Sequence, residues 1–260
     1  MPNNVCRACA HVGLEELMQG TLLDLTVRYF SCPACGYVQT EQPYWLGRAY
    51  ADPINVSDTG IMARNLMNAR VVVGALWLLG GMRERVVDFA GGYGILVRLL
   101  RDYGVETLWC DQYCQNLVAR GFEYNGETAR LVTAFEVFEH LVSPAAELER
   151  ILSIAPNVLL STETIPDPAP AHDAWPYYGK EHGQHIGFFR ERTLERLAAA
   201  HGKSIVSAGG FYHLITDRPI NELGWKVMVR LNRYLPYILK SRLKSKTLED
   251  FERLSGSKNI

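Results

Sequence analysis

The sequence lacks three features that would each point to a particular class of protein. Its 27 Lys and Arg residues nearly balance 28 Asp and Glu residues, so the net charge is −1 and no overall field attracts nucleic acid. Apolar runs such as residues 71–79 are far too short to span a bilayer. The first residues also lack the basic and apolar regions of a signal peptide. We therefore expect no nucleic acid partner, no transmembrane segment and a cytoplasmic location.

What the chain does contain is enough apolar material for a core, since 48% of its 260 residues are hydrophobic and 21% are charged.

Two Cys-x-x-Cys pairs lie near the N-terminus, Cys6 with Cys9 and Cys32 with Cys35. Four thiolates in two close pairs match tetrahedral Zn²⁺ of the ribbon or knuckle kind. Four sulfurs leave no open position, so we expect structural zinc without a catalytic role. Free thiols or a redox pair are the alternative.

A strand, a glycine turn and a helix are predicted in succession over residues 86–100, VVDFAGGYGILVRLL. Gly91, Gly92 and Gly94 allow positive φ or close approach of a ligand, and the helix behind them presents unpaired N–H groups. A dinucleotide site would require Gly-x-Gly-x-x-Gly. The order here is Asp-x-x-Gly-Gly-x-Gly, and Asp88 suits a cationic amino group better than a pyrophosphate. The turn therefore favours S-adenosylmethionine (SAM) over NAD.

A second acid, Asp111, follows the strand-like residues 107–110. It stands at about the spacing, ~20 residues, at which a carboxylate reaches ribose hydroxyls; a helix N-cap for the segment from Cys114 is the alternative. With Asp88 and the glycines, this pattern resembles the class I SAM-dependent methyltransferases, whose first motif ends a strand with Asp or Glu and continues through a glycine loop. The resemblance implies SAM contacts at Asp88, Ala90, Gly91, Gly92, Gly94, Asp111 and Gln112.

Strand and helix patterns alternate after residue 83, which predicts a parallel, doubly wound sheet. Strands are predicted at 85–89, 107–110, 131–134, 157–162, 203–208 and 211–216, and helices at 61–79, 95–103, 114–120, 143–153 and 193–201. The turn Ala208-Gly209-Gly210 makes the last strand antiparallel to its neighbour. The resemblance implies an α/β fold with a doubly wound, mostly parallel, seven-stranded sheet of the Rossmann-like SAM methyltransferase type, in which the third strand is short or degenerate.

Four segments are predicted along the chain. They are a zinc-binding module at 1–40, a linker and helical lid at 41–82, a SAM-binding methyltransferase domain at 83–217, and a basic helical C-terminal tail at 218–260. The resemblance implies that Tyr44, Thr59 and Arg64 of the lid close over the methionine end of SAM. A solvated helix start with aromatic core anchors is the alternative.

The segment AFEVFEHL at 134–141 follows the fourth predicted strand. Ligands of open α/β sheets bind at the carboxyl ends of strands, so the segment is expected to line the cofactor pocket. It resembles the Glu-x-x-Glu-His segment of many small-molecule methyltransferases, which implies SAM contacts at Ala134, Phe135, Glu136 and His140. Glu139 and His140 are also possible catalytic groups, with a structural loop as the favoured alternative. The Pro-Pro motif of enzymes that methylate amino groups of bases is missing.

The long connection from residue 163 to 189 is the second expected site of function. It carries a group of aromatic and polar side chains: Trp175, Tyr177, Tyr178, Glu181, His182, Gln184 and His185. Aromatic walls with a few ionisable groups are typical of an organic-substrate pocket. A histidine there can take a proton near neutral pH, as methyl transfer to oxygen or an acidified carbon requires.

The cysteine module, the SAM domain and the segment QHIGFF at 184–189 together are similar to the deoxysugar C-methyltransferases, which act on nucleotide-linked keto sugars. In that family a histidine of Glu-His-x-x-aromatic-aromatic acts as the base, and His185 takes its position. Gln184 replaces the glutamate, so the Glu181-His182 pair is the alternative. The candidate catalytic residues are therefore His185, His182, Glu181 and Tyr178. We expect no counterpart of the additional C-terminal domain of that family.

From Arg218 onward, apolar residues are interleaved with Lys and Arg. Such a tail either contacts a membrane or an anionic partner, or packs on its own domain or on a second subunit of a homodimer, and we favour packing. The leading hypothesis is a SAM-dependent methyltransferase acting on a small molecule, a sugar or nucleotide-sugar. An RNA or protein methyltransferase docked by the zinc module and a catalytically inactive SAM-binding adaptor are the alternatives.

Overall fold

The computed structural model of the protein describes residues 4–51 and 58–257. Its strands are β1 (Glu15–Leu22), β2 (Leu25–Ser31), β3 (Val38–Thr40), β4 (Val86–Phe89), β5 (Thr107–Cys110), β6 (Leu131–Phe135), β7 (Asn157–Ser161), β8 (Gly187–Phe188), β9 (Ser204–Ala208) and β10 (Tyr212–Thr216). Its α-helices are α1 (Leu46–Ala49), α2 (Ile61–Leu78), α3 (Ile95–Asp102), α4 (Pro144–Ile154), α5 (Glu191–Ala200), α6 (Glu222–Arg230), α7 (Leu235–Ile238) and α8 (Thr247–Ser255). Parts of the predicted linker and tail, residues 52–57 and 258–260, lie outside the described residues.

The larger sheet is a mixed sheet with strand order β5-β4-β6-β7-β10-β9. Strand β4 runs parallel to both β5 and β6, and β10 runs antiparallel to β9 through the predicted glycine turn. Val86 and Val87 of β4 are completely buried, as expected of a strand covered on both faces. The α/β class, the parallel core and the reversed last strand are therefore confirmed.

The number of strands differs from the prediction, because the described residues supply six strands to this sheet and not seven. Where a further strand was expected after β5, the chain makes only an isolated bridge between Trp109 and Glu123. Gly121 and Gly126 have φ of +89° and +95° in this stretch, which is incompatible with continuous extended backbone.

The helix predicted over residues 114–120 is also wrong, since this stretch forms a series of bends. Asp111 accepts hydrogen bonds from the main-chain N–H groups of Tyr113 and Cys114. Asn116 accepts one from the N–H of Ala119. These short polar side chains satisfy the backbone locally, which removes the advantage of a helix.

A second sheet, with strand order β1-β2-β3-β8, contains the N-terminal hairpin. The hairpin closes where Leu22 lies opposite Leu25. Strand β8, from the long connection, pairs antiparallel with β3, so that Val38 lies opposite Phe188. A Cβ at Gly187 would lie 1.8 Å from the Tyr37 hydroxyl oxygen, so only glycine fits this strand pairing.

The chain divides into two compact units, each made of three separate stretches. The first unit comprises Met1–Asn55, Glu136–Arg150 and Leu160–Pro219, and the second comprises Val56–Phe135, Ile151–Leu159 and Ile220–Ile260. Within the described ranges, every helix is too short or too polar to cross a membrane.

Candidate functional site

The glycine turn of the second unit begins at Asp88, near the end of β4. Its carboxylate is 3% exposed and accepts a hydrogen bond of 2.7 Å from the Thr133 hydroxyl. Burial raises the pKa of Asp88 to about 7; the Thr133 hydrogen bond opposes the rise and the charge of Asp111 adds to it. The carboxyl group is therefore poised between its neutral and charged forms at physiological pH.

The turn itself has the backbone that its sequence predicts. Ala90, Gly92 and Gly94 have positive φ values of 55°, 53° and 86°, and Gly94 is the N-cap of α3. Gly91 is required for a different reason, since a Cβ there would lie 2.8 Å from Asp88 Oδ2 and 2.9 Å from the ring of Trp109. The first N–H groups of α3 thus follow a turn that larger residues could not form.

Asp111 connects the end of β5 to this turn. Its Oδ2 accepts a hydrogen bond of 2.9 Å from the Gly92 N–H, while its Oδ1 accepts from Tyr113 and Cys114. In return, the Trp109 indole N–H donates to the Gly92 carbonyl at 2.8 Å. Asp111 therefore stabilises the glycine turn and the bends after β5, but the helix that its N-cap alternative requires does not form; its contact with a ribose stays a prediction.

The remaining predicted cofactor residues of the second unit differ in exposure. Ala134 is buried in β6 and Phe135 ends that strand, whereas Gln112 is exposed beside Asp111. Arg64, near the start of α2, forms an ion pair of 2.5 Å with Asp58. Thr59 of the predicted lid is exposed, as is Tyr44 of the first unit.

The four predicted metal ligands come together in the first unit. The sulfur atoms of Cys6, Cys9, Cys32 and Cys35 all lie within 4.8 Å of one another, and the Cys6–Cys35 and Cys9–Cys32 distances are both 3.7 Å. A zinc ion with Zn–S bonds of ~2.3 Å places its sulfurs about 3.8 Å apart in a tetrahedron. A hydrogen bond from Cys35 lowers the pKa of Cys6 to about 5. The cluster is therefore compatible with zinc.

The cysteine cluster is joined to the long connection by a buried arginine. Arg7, between the first two cysteines, donates through Nη2 to the carbonyl oxygen of Ile186 at 2.6 Å. The Thr40 N–H donates to the same carbonyl at 3.1 Å, and the Ile186 N–H donates to the Glu139 carbonyl at 2.9 Å. Ile186 directly follows His185, so the cysteine module fixes the backbone beside the candidate base.

His185 lies in a cluster with Glu139, His140 and Tyr177. The Tyr177 hydroxyl donates to Glu139 Oε1 at 2.5 Å, and His185 Nδ1 donates to the Tyr177 carbonyl oxygen at 2.6 Å. Because Nδ1 must carry the proton in that bond, the neutral imidazole presents its lone pair at Nε2. His140 forms a bond of 2.9 Å between its Nδ1 and the Tyr50 hydroxyl.

Burial controls the ionisation of this cluster. It lowers the pKa of His185 to about 4, lowers that of His140 well below its usual range, and raises that of Glu139 to about 7. Ligand atoms of these three residues lie within 4.8 Å of one another and could also hold a cation. At neutral pH both histidines are uncharged and the cluster has the properties of a proton acceptor.

The alternative catalytic residues have different surroundings. His182 Nδ1 accepts a hydrogen bond from the Gln184 N–H at 3.1 Å, so its proton is on Nε2. Tyr178 is buried, donates to the Pro170 carbonyl at 3.0 Å, and burial raises its pKa to about 12. Glu181 is exposed. Of the four candidates, His185 alone combines a fixed tautomer with a lone pair at Nε2.

Gln184 has a structural explanation in this chain. Its side-chain amide donates to the Ala49 carbonyl oxygen at 2.8 Å. A glutamate carboxylate has no N–H to donate, and its oxygens would repel the carbonyl oxygen of Ala49.

The sequence analysis named Tyr178 as a candidate, whereas the structure places Tyr177 in the cluster, because two adjacent tyrosines of a loop give no periodic signal. It missed Arg7 because no local pattern marks a contact with Ile186.

Residues 62–208 match the model of a methyltransferase domain family. Among solved structures, the SAH-bound methyltransferase CalO1 of calicheamicin biosynthesis is 16% identical over 67% of this chain, with a TM-score of 0.46. The 1,6-didemethyltoxoflavin N1-methyltransferase of Burkholderia thailandensis is 15% identical over 76% of this chain and 97% of its own, with a TM-score of 0.49. The chain spans 60% of CalO1 and 62% of TnmH, another similar structure. No curated protein matches it.

Proposed function

We infer that this chain methylates a sugar or a nucleotide-linked sugar, with His185 as the base. The chain belongs to the methyltransferase domain family, and it is a SAM-dependent methyltransferase as its sequence predicts. The observation that supports His185 as the base is the hydrogen bond that its Nδ1–H donates to the Tyr177 carbonyl oxygen. That bond leaves Nε2 free of hydrogen and able to accept the proton of the acceptor. The sugar class rests on the resemblance of the cysteine module and the QHIGFF segment to deoxysugar C-methyltransferases.

The second unit would hold the cofactor. Asp88, once ionised, suits the cationic amino group of SAM, and the glycine turn brings backbone N–H groups close to a ligand. SAM supplies an electrophilic methyl group on its sulfonium sulfur. An acceptor that takes this methyl group would release S-adenosylhomocysteine (SAH), and His185 Nε2 would accept the proton that the acceptor loses.

The cysteine cluster would hold one structural zinc ion. Its four sulfurs fill a tetrahedral shell, and the Arg7 contact with Ile186 gives the metal an indirect role in placing His185. Thiolate ligands of this kind contribute folding free energy to small modules with little core.

Cofactor binding is tested by calorimetric titration of the zinc-replete protein with SAH. We expect binding by the wild type and a large loss in Gly91→Ala, because the new Cβ would collide with Asp88 and Trp109. Gly126→Ala is the matched control, since no atom lies within 4 Å of the new Cβ although φ is +95°. Absence of SAH binding by folded wild type would overturn the cofactor assignment.

The base is tested by turnover of His185→Ala on a panel of nucleotide-linked keto sugars and phenols. We expect kcat to fall by about 10²–10⁴-fold with SAH affinity retained, as for removal of a general base. His182→Ala is the control and should keep most of its activity. Unchanged turnover of His185→Ala would remove it from the mechanism, and turnover of phenols alone would overturn the sugar assignment.

A further inference from the structure

The C-terminal helices of the second unit expose a set of large apolar side chains, here called the tail surface. It consists of Leu223, Val227, Leu231, Tyr234, Tyr237 and Ile238. Leu223, Tyr237 and Ile238 are 70%, 79% and 69% exposed. The first four follow one another at spacings of four, four and three residues, so they share one face of a helical path.

This exposure is not the result of a loose tail. On the opposite side of α6 and α7, Trp225, Met228 and Leu235 are buried. A Cβ at Gly74 of α2 would lie 2.0 Å from Met228 Sδ and 2.7 Å from Leu235 Cδ1, so the helices pack closely on α2. The tail therefore has two apolar faces, one packed on its own unit and one left in solvent.

The charge around the tail surface is mostly of one sign, and its one neighbouring acid in this stretch, Glu222, is paired with Lys226 at 2.5 Å. Between residues 223 and 245 the chain has six cations and no Asp or Glu. These cations, all exposed, are Lys226, Arg230, Arg233, Lys240, Arg242 and Lys244. Since the whole chain has a net charge of −1, the rest of the chain carries −7. Arg233 lies over the Tyr234 ring at 4.6 Å, which leaves an aromatic and a cation side by side at the surface.

We propose that the tail surface binds the headgroup region of an anionic membrane, with the protein lying on the bilayer and not crossing it. Exposed aliphatic and aromatic side chains next to Lys and Arg are the combination that an anionic lipid interface binds. A second copy of the chain fits poorly, because a symmetric dimer would bring six cations against six. Nucleic acid would use the cations but leave the aliphatic side chains in water.

The test is sedimentation of the full-length protein with vesicles. We expect binding to phosphatidylcholine vesicles that contain phosphatidylserine, weaker binding in high salt, and little binding to phosphatidylcholine alone. Replacing two cations, Arg242→Gln with Lys244→Gln, should weaken binding about 25-fold, since each charge is worth roughly fivefold. Tyr237→Ser with Ile238→Ser should weaken it at least about tenfold through lost apolar burial.

Matched controls come from the same unit. Leu248→Ser removes an exposed apolar side chain of α8 that stands next to Glu249 and Asp250, and Arg83→Gln with Arg120→Gln removes two exposed cations elsewhere. Both controls should bind as the wild type does. All variants change exposed side chains, and circular dichroism with thermal unfolding confirms that each is folded.

Three outcomes would overturn the proposal. One is no binding of the wild type to anionic vesicles, or equal binding to neutral ones. Another is self-association in sedimentation velocity that Tyr237→Ser with Ile238→Ser abolishes while vesicle binding is absent, which would assign the surface to a second copy. The third is salt-sensitive RNA binding that depends on the cations and not on Tyr237 and Ile238.

Discussion

The glycine turn of the second unit and the histidine cluster of the first unit are held in opposite ways. The hydrogen bonds that join Gly92 to Trp109 and Asp111 connect residues at most 19 apart in the sequence, and the Asp88–Thr133 bond spans 45. The segment after His185 is held by Arg7, from 179 residues away. The comparison teaches that the cofactor motif is largely a local product of its sequence, whereas the candidate base depends on distant parts of the chain.

The largest effect on turnover is expected when the cysteine module, which holds Ile186 through Arg7, is disrupted. Cys32→Ser with Cys35→Ser should abolish most turnover, because the module that holds Ile186 beside His185 loses two of its four proposed zinc ligands. SAH affinity, which depends on the second unit, should stay within about twofold of wild type. Turnover measured on an acceptor and SAH titration on the same samples separate the two effects.

Cys114→Ser is the matched control, because that cysteine lies in the second unit and outside the metal cluster. It should keep both turnover and SAH binding. Retained turnover in the double variant would show that the cysteine cluster does not support the base. Parallel loss of SAH binding would show that the two units depend on each other for folding.

The second unit also contains a long-range contact, so local contacts do not hold all of that unit. Breaking this contact tests how far the glycine turn depends on it. Arg101 is 1% exposed and donates to Asp250 of α8 at 2.7 and 2.8 Å, across 149 residues. Asp250→Ala should lower the free energy of unfolding by about 1–3 kcal/mol, because Arg101 loses two charged hydrogen bonds but keeps its ion pair of 2.7 Å with Glu106. Denaturant titration measures the loss.

The surface pair Arg150 and Glu147 supplies the control, and Arg150→Ala should cost about 0–1 kcal/mol. At low temperature the folded fraction of Asp250→Ala should still bind SAH, since α8 is not part of the glycine turn. A stability change no larger than that of Arg150→Ala would mean that the buried pair contributes nothing to α8 docking.

A smaller effect is expected in the pH dependence of SAH affinity, which depends on Asp88, and of kcat, which depends on the histidine cluster. The pKa of Asp88 is raised to about 7, so its ionised fraction grows from about a tenth at pH 6 to about nine tenths at pH 8. SAH affinity should therefore rise about tenfold over this range. The pKa of His185 is lowered to about 4, so the base stays neutral throughout, and any change of kcat at saturating SAM over this range would report Glu139, whose pKa is raised to about 7.

Calorimetric titration at several pH values measures this dependence, with Asp88→Asn as the reference. The asparagine variant cannot ionise, and its SAH affinity should be weak and nearly independent of pH between 6 and 8. An equal slope in the variant and the wild type would assign the pH dependence to another group.

Local sequence determined those parts of the fold whose contacts are close along the chain. The turn from Asp88 to Gly94 and the reversal at Gly209 and Gly210 both formed as predicted. The prediction failed over residues 114–120, where hydrophobic spacing suggested a helix. There the side chains of Asp111 and Asn116 satisfied the backbone instead.

The sequence by itself determined the class of fold, the family and the set of four cysteines, because each is written in neighbouring residues or in a repeated spacing. Only the tertiary structure decided that β8 joins the sheet of the cysteine module, that Tyr177 and not Tyr178 bonds Glu139, and that His185 presents Nε2. Each of these depends on hydrogen bonds to partners that no periodicity specifies. Packing of the whole chain, and not local preference, therefore selects the candidate base.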